Sequence, residues 1–149
     1  MRPALFALAL TLLPVCAHAA SDYDVQPVGE PGKYIGCMAV NADAGVSFVA
    51  VEQSLSVMMT AKGFGVTKGE PVDGTWSVDG AKDRALAAKA DGPNTVSVDL
   101  DATREVLALF GNGNQLSATV GKKSYEFDLA GSRQALTELG GCMDKNVKK

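Results

Sequence analysis

Short runs in which apolar and polar residues alternate recur along most of the chain after residue 32. A period of two is typical of β-strands with one buried face. The clearest run has Tyr125, Phe127 and Leu129 alternating with Glu126 and Asp128. Comparable patterns predict further strands over residues 33–40, 46–51, 55–61, 73–80, 95–100 and 116–120. Residues 84–90 could form a helix or a strand, and the strand-rich neighbourhood weakly favours a strand. The glycine-rich residues 62–74 are ambiguous, with an edge segment expected near 62–66.

Two segments break this alternation and predict short helices. Asp101 can cap a helix over residues 102–110. Ser132 can cap a second helix, which Gly140 and Gly141 are expected to stop. Because helices do not alternate with strands, a parallel βαβ arrangement is not indicated. The pattern predicts a mainly β domain, an antiparallel sandwich or partly open barrel with two short helices.

The first 20 residues have the pattern of a secretory signal peptide. Arg2 supplies a positive charge, residues 4–15 are almost wholly apolar, and an Ala-x-Ala site follows. The apolar run is shorter than the roughly 20 residues that span a bilayer, and no later stretch predicts a membrane span. A lipoprotein anchored through Cys16 is the competing expectation. The rest is predicted to comprise a flexible lead-in over 21–32, one β-rich domain over 33–143 and a polar tail over 144–149.

Removal of this signal would change the inventory of reactive side chains. The single histidine, His18, lies inside it, as does Cys16. A chain without histidine cannot build a Ser-His-Asp triad, a Cys-His pair or the usual zinc site. Because 13 of the 14 basic residues and all 17 acidic residues would remain, the net charge would change from −3 to −4. This mild acidity, without a basic cluster, argues against nucleic acid as a partner.

Cys37 and Cys142 would then be the remaining cysteines, in a chain addressed to an oxidising compartment. Two cysteines allow one connectivity, so a disulfide is expected. Closing a loop of about 100 residues contributes up to ~4.7 kcal/mol in the chain-entropy model. A redox role is disfavoured because the pair lacks the close Cys-x-x-Cys spacing.

Three segments resemble the invasion-associated locus B family of small secreted proteins of Gram-negative bacteria. They are Gly36-Cys-Met-Ala, Gly74-Thr-Trp-Ser-Val-Asp-Gly80 and Phe127-Asp-Leu-Ala-Gly-Ser-Arg-Gln-Ala-Leu136. The resemblance implies an immunoglobulin-like β-sandwich, a periplasmic or secreted location and no established catalytic centre. It also implies an association with bacterial entry into host cells.

The favoured functional hypothesis is a non-enzymatic exported module that binds a protein partner in the envelope or outside the cell, without a cofactor. The edge segment near 62–66 could accept a partner strand. A second hypothesis is an inhibitor or immunity protein that blocks a periplasmic hydrolase through a protruding loop over 73–83. The candidate interaction residues of that loop are Asp73, Trp76, Asp79 and Asp83.

A third hypothesis is a carboxylate-dependent hydrolase or calcium binder that uses Asp99 and Asp101. These residues flank Leu100, so both could face one way, although Asp101 already has a structural role as a helix cap. The segment Asn41-Ala-Asp-Ala-Gly45 begins like a calcium loop but lacks the later glutamate, which favours a turn. Copper(I) binding by methionines is disfavoured because the adjacent Met58 and Met59 would point to opposite faces of a strand.

Overall fold

A computed structural model describes residues 22–147 of the chain. The predicted signal peptide over 1–20, with Cys16, and the end of the predicted polar tail lie outside this range. The strands are β1 (Asp24–Glu30), β2 (Lys33–Asn41), β3 (Val46–Val51), β4 (Ser54–Thr60), β5 (Pro71–Val72), β6 (Gly74–Val78), β7 (Arg84–Ala85), β8 (Ala88–Gly92), β9 (Thr95–Asp101), β10 (Gln115–Val120) and β11 (Lys123–Asp128). The helices are α1 (Arg104–Asn112) and α2 (Ser132–Val147).

The strands form two open antiparallel sheets. The large sheet has the order β1-β2-β3-β4-β9-β8-β5, and the small sheet has the order β11-β10-β6-β7. Every pairing in both sheets is antiparallel. The prediction of a mainly β, antiparallel fold with two helices is therefore confirmed, as two open sheets and not a closed barrel.

The core lies between the facing surfaces of the two sheets. The large sheet contributes the alternate, fully buried positions Cys37, Ala39, Val46, Phe48, Leu55, Val57, Met59, Val96 and Val98. The small sheet contributes Trp76, Val78, Leu116, Ala118 and Phe127. Phe110 of α1 joins the layers, with its ring centroid 5.8 Å from that of Phe48 and 5.6 Å from that of Trp76. Helix α1 thus fills the space between the sheets with an aromatic side chain.

Helix α1 begins two residues later than predicted. Asp101 is the last residue of β9, where it pairs with Ser54 of β4. The cap is Thr103, whose hydroxyl accepts a hydrogen bond of 3.2 Å from the Val106 amide. The predicted capping role of Asp101 is therefore wrong, because the strand pairing extends through this residue and the helix starts only after the chain has turned.

Helix α2 continues past the two glycines that were expected to stop it. Gly140 and Gly141 both lie inside the helix, which extends to Val147. Neither glycine has the positive φ of a helix-ending residue. The predicted polar tail is accordingly helical over 144–147, where α2 is held by its packing on β1, β2 and β3.

The predicted flexible lead-in is wrong for residues 24–30, which form the edge strand β1. The strand pairs with β2 along its whole length, with a bulge between Val28 and Gly29. Proline and glycine are tolerated in an edge strand because only one side of it needs hydrogen bonds. Tyr23, just before β1, is 5% exposed and belongs to the core. The folded domain therefore begins about ten residues earlier than predicted.

The predicted edge segment at 62–66 is not a strand. Phe64 is buried, and its ring lies edge-on to that of Tyr125 at a centroid distance of 4.5 Å. The Tyr125 hydroxyl donates a hydrogen bond of 2.8 Å to the Gly63 carbonyl. These contacts attach the segment to β11 through side chains, so it has no strand edge to offer.

The strand prediction over 84–90 is confirmed, although the segment divides between the two sheets. β7 pairs with β6 of the small sheet, and β8 pairs with β5 and β9 of the large sheet. Between them, Leu86 is 1% exposed, and its amide donates to the Gly74 carbonyl at 2.8 Å. The chain thus crosses from one layer to the other at a buried leucine.

Candidate binding surfaces

The two cysteines form a disulfide between β2 and α2. Cys37 and Cys142 are bonded with a Cα–Cα distance of 6.2 Å. The Tyr34 hydroxyl lies 3.4 Å from the Cys37 sulfur and donates a 2.9 Å hydrogen bond to the sulfur of Met143. The side-chain amide of Asn146 donates a hydrogen bond of 2.8 Å to the Cys142 carbonyl. The bridge is packed inside the fold, and Cys37 is wholly buried, which fits a structural role.

The predicted interaction loop over 73–83 does not protrude as one loop, because residues 74–78 form β6 inside the small sheet. Trp76 is 4% exposed and stacks on Phe110, with an interplanar angle of 18°. The Arg84 guanidinium covers the Trp76 ring at 5.3 Å. Trp76 is therefore a core residue, and its predicted place in an interaction loop is wrong.

Asp79 organises the turn after β6. Its φ is 51°, and its carboxylate accepts hydrogen bonds from the Asn114 amide at 3.0 Å and the Gln115 amide at 2.9 Å. These bonds tie the end of β6 to the start of β10, which is a structural task. Of the four candidate interaction residues, Asp73 and Asp83 are exposed side chains without such a task, and they stand at opposite ends of the segment.

The carboxylates proposed for hydrolysis or calcium binding lie on the outward face of the large sheet. Asp99 and Asp101 are both exposed, and the Ser56 hydroxyl donates to Asp99. Within residues 22–147, no group of three or more His, Cys, Asp or Glu side chains could hold a metal ion. The calcium-like segment is a turn, in which Asn41 Oδ1 accepts a 3.0 Å hydrogen bond from the Ala44 amide. Met58 and Met59 alternate as predicted: Met59 is 1% exposed, and Met58 points away from the core.

The outward face of the large sheet carries a cluster of apolar side chains that sequence reasoning did not identify as a surface. The cluster, called the outward apolar face, comprises Met38, Val40, Val49, Val51 and Met58. These side chains are all partly exposed. The sequence of β2 indicated this surface, because the strand is apolar on both of its faces. An outward face of an antiparallel sheet is usually polar, so this one is unusual.

Strand register makes the outward apolar face continuous. Met38 of β2 lies directly opposite Val49 of β3. Met58 of β4 lies opposite Ser47, which is two residues before Val49 on the same face of β3. A side chain at Gly36 would meet Val51 Cγ2 at 3.0 Å, which places Val51 beside β2. Exposed charged residues that strand pairing places on the same face include Asp24, Asp99, Asp101 and Lys89.

A second surface lies between the two helices and is called the interhelical groove. It has a volume of about 560 Å³ and is open to solvent. Its lining residues are Arg104, Leu107, Ala108, Gly111, Asn112, Arg133, Leu136 and Thr137. Leu107, at 36% exposed, is with Ile35 one of the two most exposed large apolar side chains among the described residues. The helices approach closely at Gly111, where an added Cβ would lie 3.5 Å from Arg133 Cα.

Comparisons of the chain with protein-family models, with curated proteins and with solved structures found no match. The resemblance to the invasion-associated locus B family therefore stays a prediction. Among residues 22–147, no helix combines the length and apolar character needed to cross a bilayer.

Proposed function

We propose that the chain is an exported, non-enzymatic module that acts by binding a protein partner. The observation that carries this proposal is the outward apolar face. Exposing several apolar side chains in one contiguous area costs free energy because water must cover them. Contiguous apolar surface of this kind marks interaction sites more often than isolated exposed residues do.

The residues around the outward apolar face define the chemistry of the partner. Among the charged residues that strand pairing places on this face, the three carboxylates of Asp24, Asp99 and Asp101 outnumber the base Lys89. A complementary protein surface would have an apolar centre and a mainly basic rim, because opposite charges at a rim steer association and suppress other partners. The proposed partner is thus a protein with such a surface.

The location we propose is the periplasm or the exterior of the cell. The disulfide supports it, because such bonds persist in oxidising compartments. The N-terminal signal pattern points the same way. If the family resemblance holds, the partner could be a host component that the bacterium meets during entry.

Affinity capture with baits that carry an added positive charge tests the proposed function. The full chain, exported in its source cells, is compared with Val49→Lys, which places a cation at the centre of the outward apolar face. Ser117→Lys is the matched control, because Ser117 is an outward position at the centre of the small sheet. We expect one protein with a basic surface to be retained by the wild type and by the control, and to be lost from Val49→Lys.

The capture result is checked with purified components. We expect binding of the retained protein to weaken at least about tenfold with Val49→Lys, a change of ~1.4 kcal/mol. Equal retention by all three baits, or no protein retained by any of them, would overturn the proposal.

A further inference from the structure

We propose that the interhelical groove is a second, independent docking site, which takes an amphipathic helix that carries carboxylates at both ends of its apolar face. This goes beyond the proposed function, because it concerns a different surface with the opposite sign of charge. The kind of partner follows from the shape, the apolar floor and the charges of the groove.

The floor of the groove is apolar and follows helical periodicity. Arg104, Leu107, Ala108 and Gly111 lie at positions i, i+3, i+4 and i+7 of α1, so they share one face. Across the groove, α2 supplies Leu136. Small residues on one wall and leucines on both provide a channel between two helices, the arrangement in which amphipathic helices commonly dock.

The charges of the groove are positive in a chain whose net charge is −3. Arg104 and Arg133 line it, and no acidic side chain does. Two acidic residues adjoin lining residues in the sequence, and both contact side chains outside the lining: Glu105 lies 3.8 Å from Arg84, and Glu138 accepts a 2.8 Å hydrogen bond from Gln134. Charge complementarity therefore selects carboxylates for the ends of the docked helix.

The spacing of the two arginines sets the spacing of those carboxylates. Arg133 sits beside Gly111, where its Nε donates a 3.2 Å hydrogen bond to the Gly111 carbonyl. It also donates to the Asn112 side chain, so its position is fixed. From Arg104 to Gly111 is about 10 Å along α1, at ~1.5 Å per residue. A helix lying along the groove would match this with acidic residues at i and i+7 and apolar residues at i+3 and i+4.

Binding of synthetic peptides to the full chain tests the inference. The probe is a fluorescent, Ala-rich helical peptide of about 16 residues with Glu at i and i+7 and Leu at i+3 and i+4. Its controls carry Lys or Gln in place of both glutamates. We expect the Glu peptide to bind at least about tenfold more tightly than the Lys peptide at low salt, and to weaken as salt is added.

Variants on the protein locate the binding. Arg104→Glu should weaken binding of the Glu peptide at least about tenfold and strengthen that of the Lys peptide. Lys122→Glu, an equal charge change at the exposed β10–β11 turn, is the matched control and should do neither. Leu107→Asp should abolish binding, whereas Ile35→Asp, a change at the exposed apolar side chain of β2, should leave it intact. Arg104→Glu is preferred to a change at Arg133, because Arg133 also holds the end of α1.

The inference is overturned if the three peptides bind equally, or if Arg104→Glu behaves like Lys122→Glu. It is also overturned if Ile35→Asp removes binding of the Glu peptide. The outcome is distinguishable from that of the capture experiment, in which the altered residue lies on the large sheet and the retained partner is basic.

Discussion

At the scale of single residues, Tyr23 is the described side chain whose ionisation is most clearly altered by folding. It is 5% exposed, and its ring lies 5.7 Å from that of Phe48. Burial, and secondarily the negative charge of Asp128, raises the pKa of Tyr23 from 10.0 to about 12. The folded protein thus holds the phenol proton at pH values where the unfolded chain has begun to release it.

Stability should therefore decline in alkali through this residue. Above pH 10 the unfolded chain binds fewer protons than the folded chain, so the free energy of unfolding falls as pH rises towards 12. At about pH 11 the expected loss is ~1.4 kcal/mol relative to neutral pH. Urea titrations of the wild type and of Tyr23→Phe at several pH values measure it. A decline as steep in Tyr23→Phe as in the wild type would contradict the assignment.

The contribution of the Asp79 carboxylate to the free energy of unfolding should also be measurable. Asp79→Ala removes the acceptor for two backbone amides and places alanine at a φ of 51°. The expected loss is about 1–2 kcal/mol, since hydrogen bonds to charged groups exceed neutral ones in strength. Asp83→Ala, at an exposed site in the same segment, should change stability by less than about 0.5 kcal/mol. Equal effects of the two changes would show that the turn does not depend on Asp79.

At the scale of elements, alternation predicts most strands because one face of each sheet is buried. Residues 95–100 and 125–128 keep this period closely, and both form strands. Alternation does not predict β1, because Pro27 and Gly29 are residues typical of a flexible linker. An edge strand needs a neighbour along only one side, and a single sequence does not display that neighbour.

The end of α2 was missed for a related reason. Glycine disfavours a helix by up to about 1 kcal/mol per residue, so two in succession are a reasonable stop signal. In the structure, packing on three strands and the disulfide at Cys142 offset this cost. Tertiary contacts of this kind are not encoded within a local window of sequence.

The candidate surfaces were harder to predict than the fold. Sequence reasoning placed Trp76 in an interaction loop, whereas the structure buries it in the core. The outward apolar face depends on the register of β2 against β3, which places Met38 opposite Val49. The interhelical groove depends on how α1 and α2 cross. Both surfaces are juxtapositions of residues that are distant in sequence.

Replacing the helical glycines tests this account of α2. An added Cβ at Gly140 or Gly141 would meet no atom within 4 Å. The double change Gly140→Ala and Gly141→Ala should therefore stabilise the protein by about 1–2 kcal/mol, through helix propensity alone. Thermal unfolding measures the effect as a higher midpoint.

Gly113 is the contrasting site for that experiment. A Cβ there would lie 2.3 Å from Val78 Cγ1, so Gly113→Ala should be destabilising. A lower midpoint for the Gly140/Gly141 variant would mean that α2 requires glycine for a reason other than conformational tolerance.

At the scale of the whole molecule, the disulfide joins residues 105 positions apart and so connects nearly the full length of the domain. It fixes the last helix to the second strand of the large sheet. Helix α2 covers part of the inner face of that sheet, over β1, β2 and β3. The bond therefore links β2, near the start of the domain, to α2, the last element of the chain.

Loss of the disulfide should lower stability without changing the fold. Replacing both cysteines by alanine removes a constraint worth up to ~4.7 kcal/mol on the unfolded chain. We expect a markedly lower urea midpoint, with the circular dichroism of a β-rich protein retained at low urea. The wild type treated with a reducing agent should behave like the double variant. An unchanged midpoint would show that packing alone fixes α2.

The distance between the two cysteines along the chain also sets the order in which they would meet oxidants under the export proposed above. A polypeptide that leaves its exporter N-terminus first would present Cys37 to oxidants long before Cys142 emerges. Until then the Cys37 thiol has no native disulfide partner within the chain, and it can form a mixed disulfide with an oxidoreductase or with another emerging copy. Dimers of the chain joined by an intermolecular disulfide at Cys37 are thus the expected by-product when translocation is slowed.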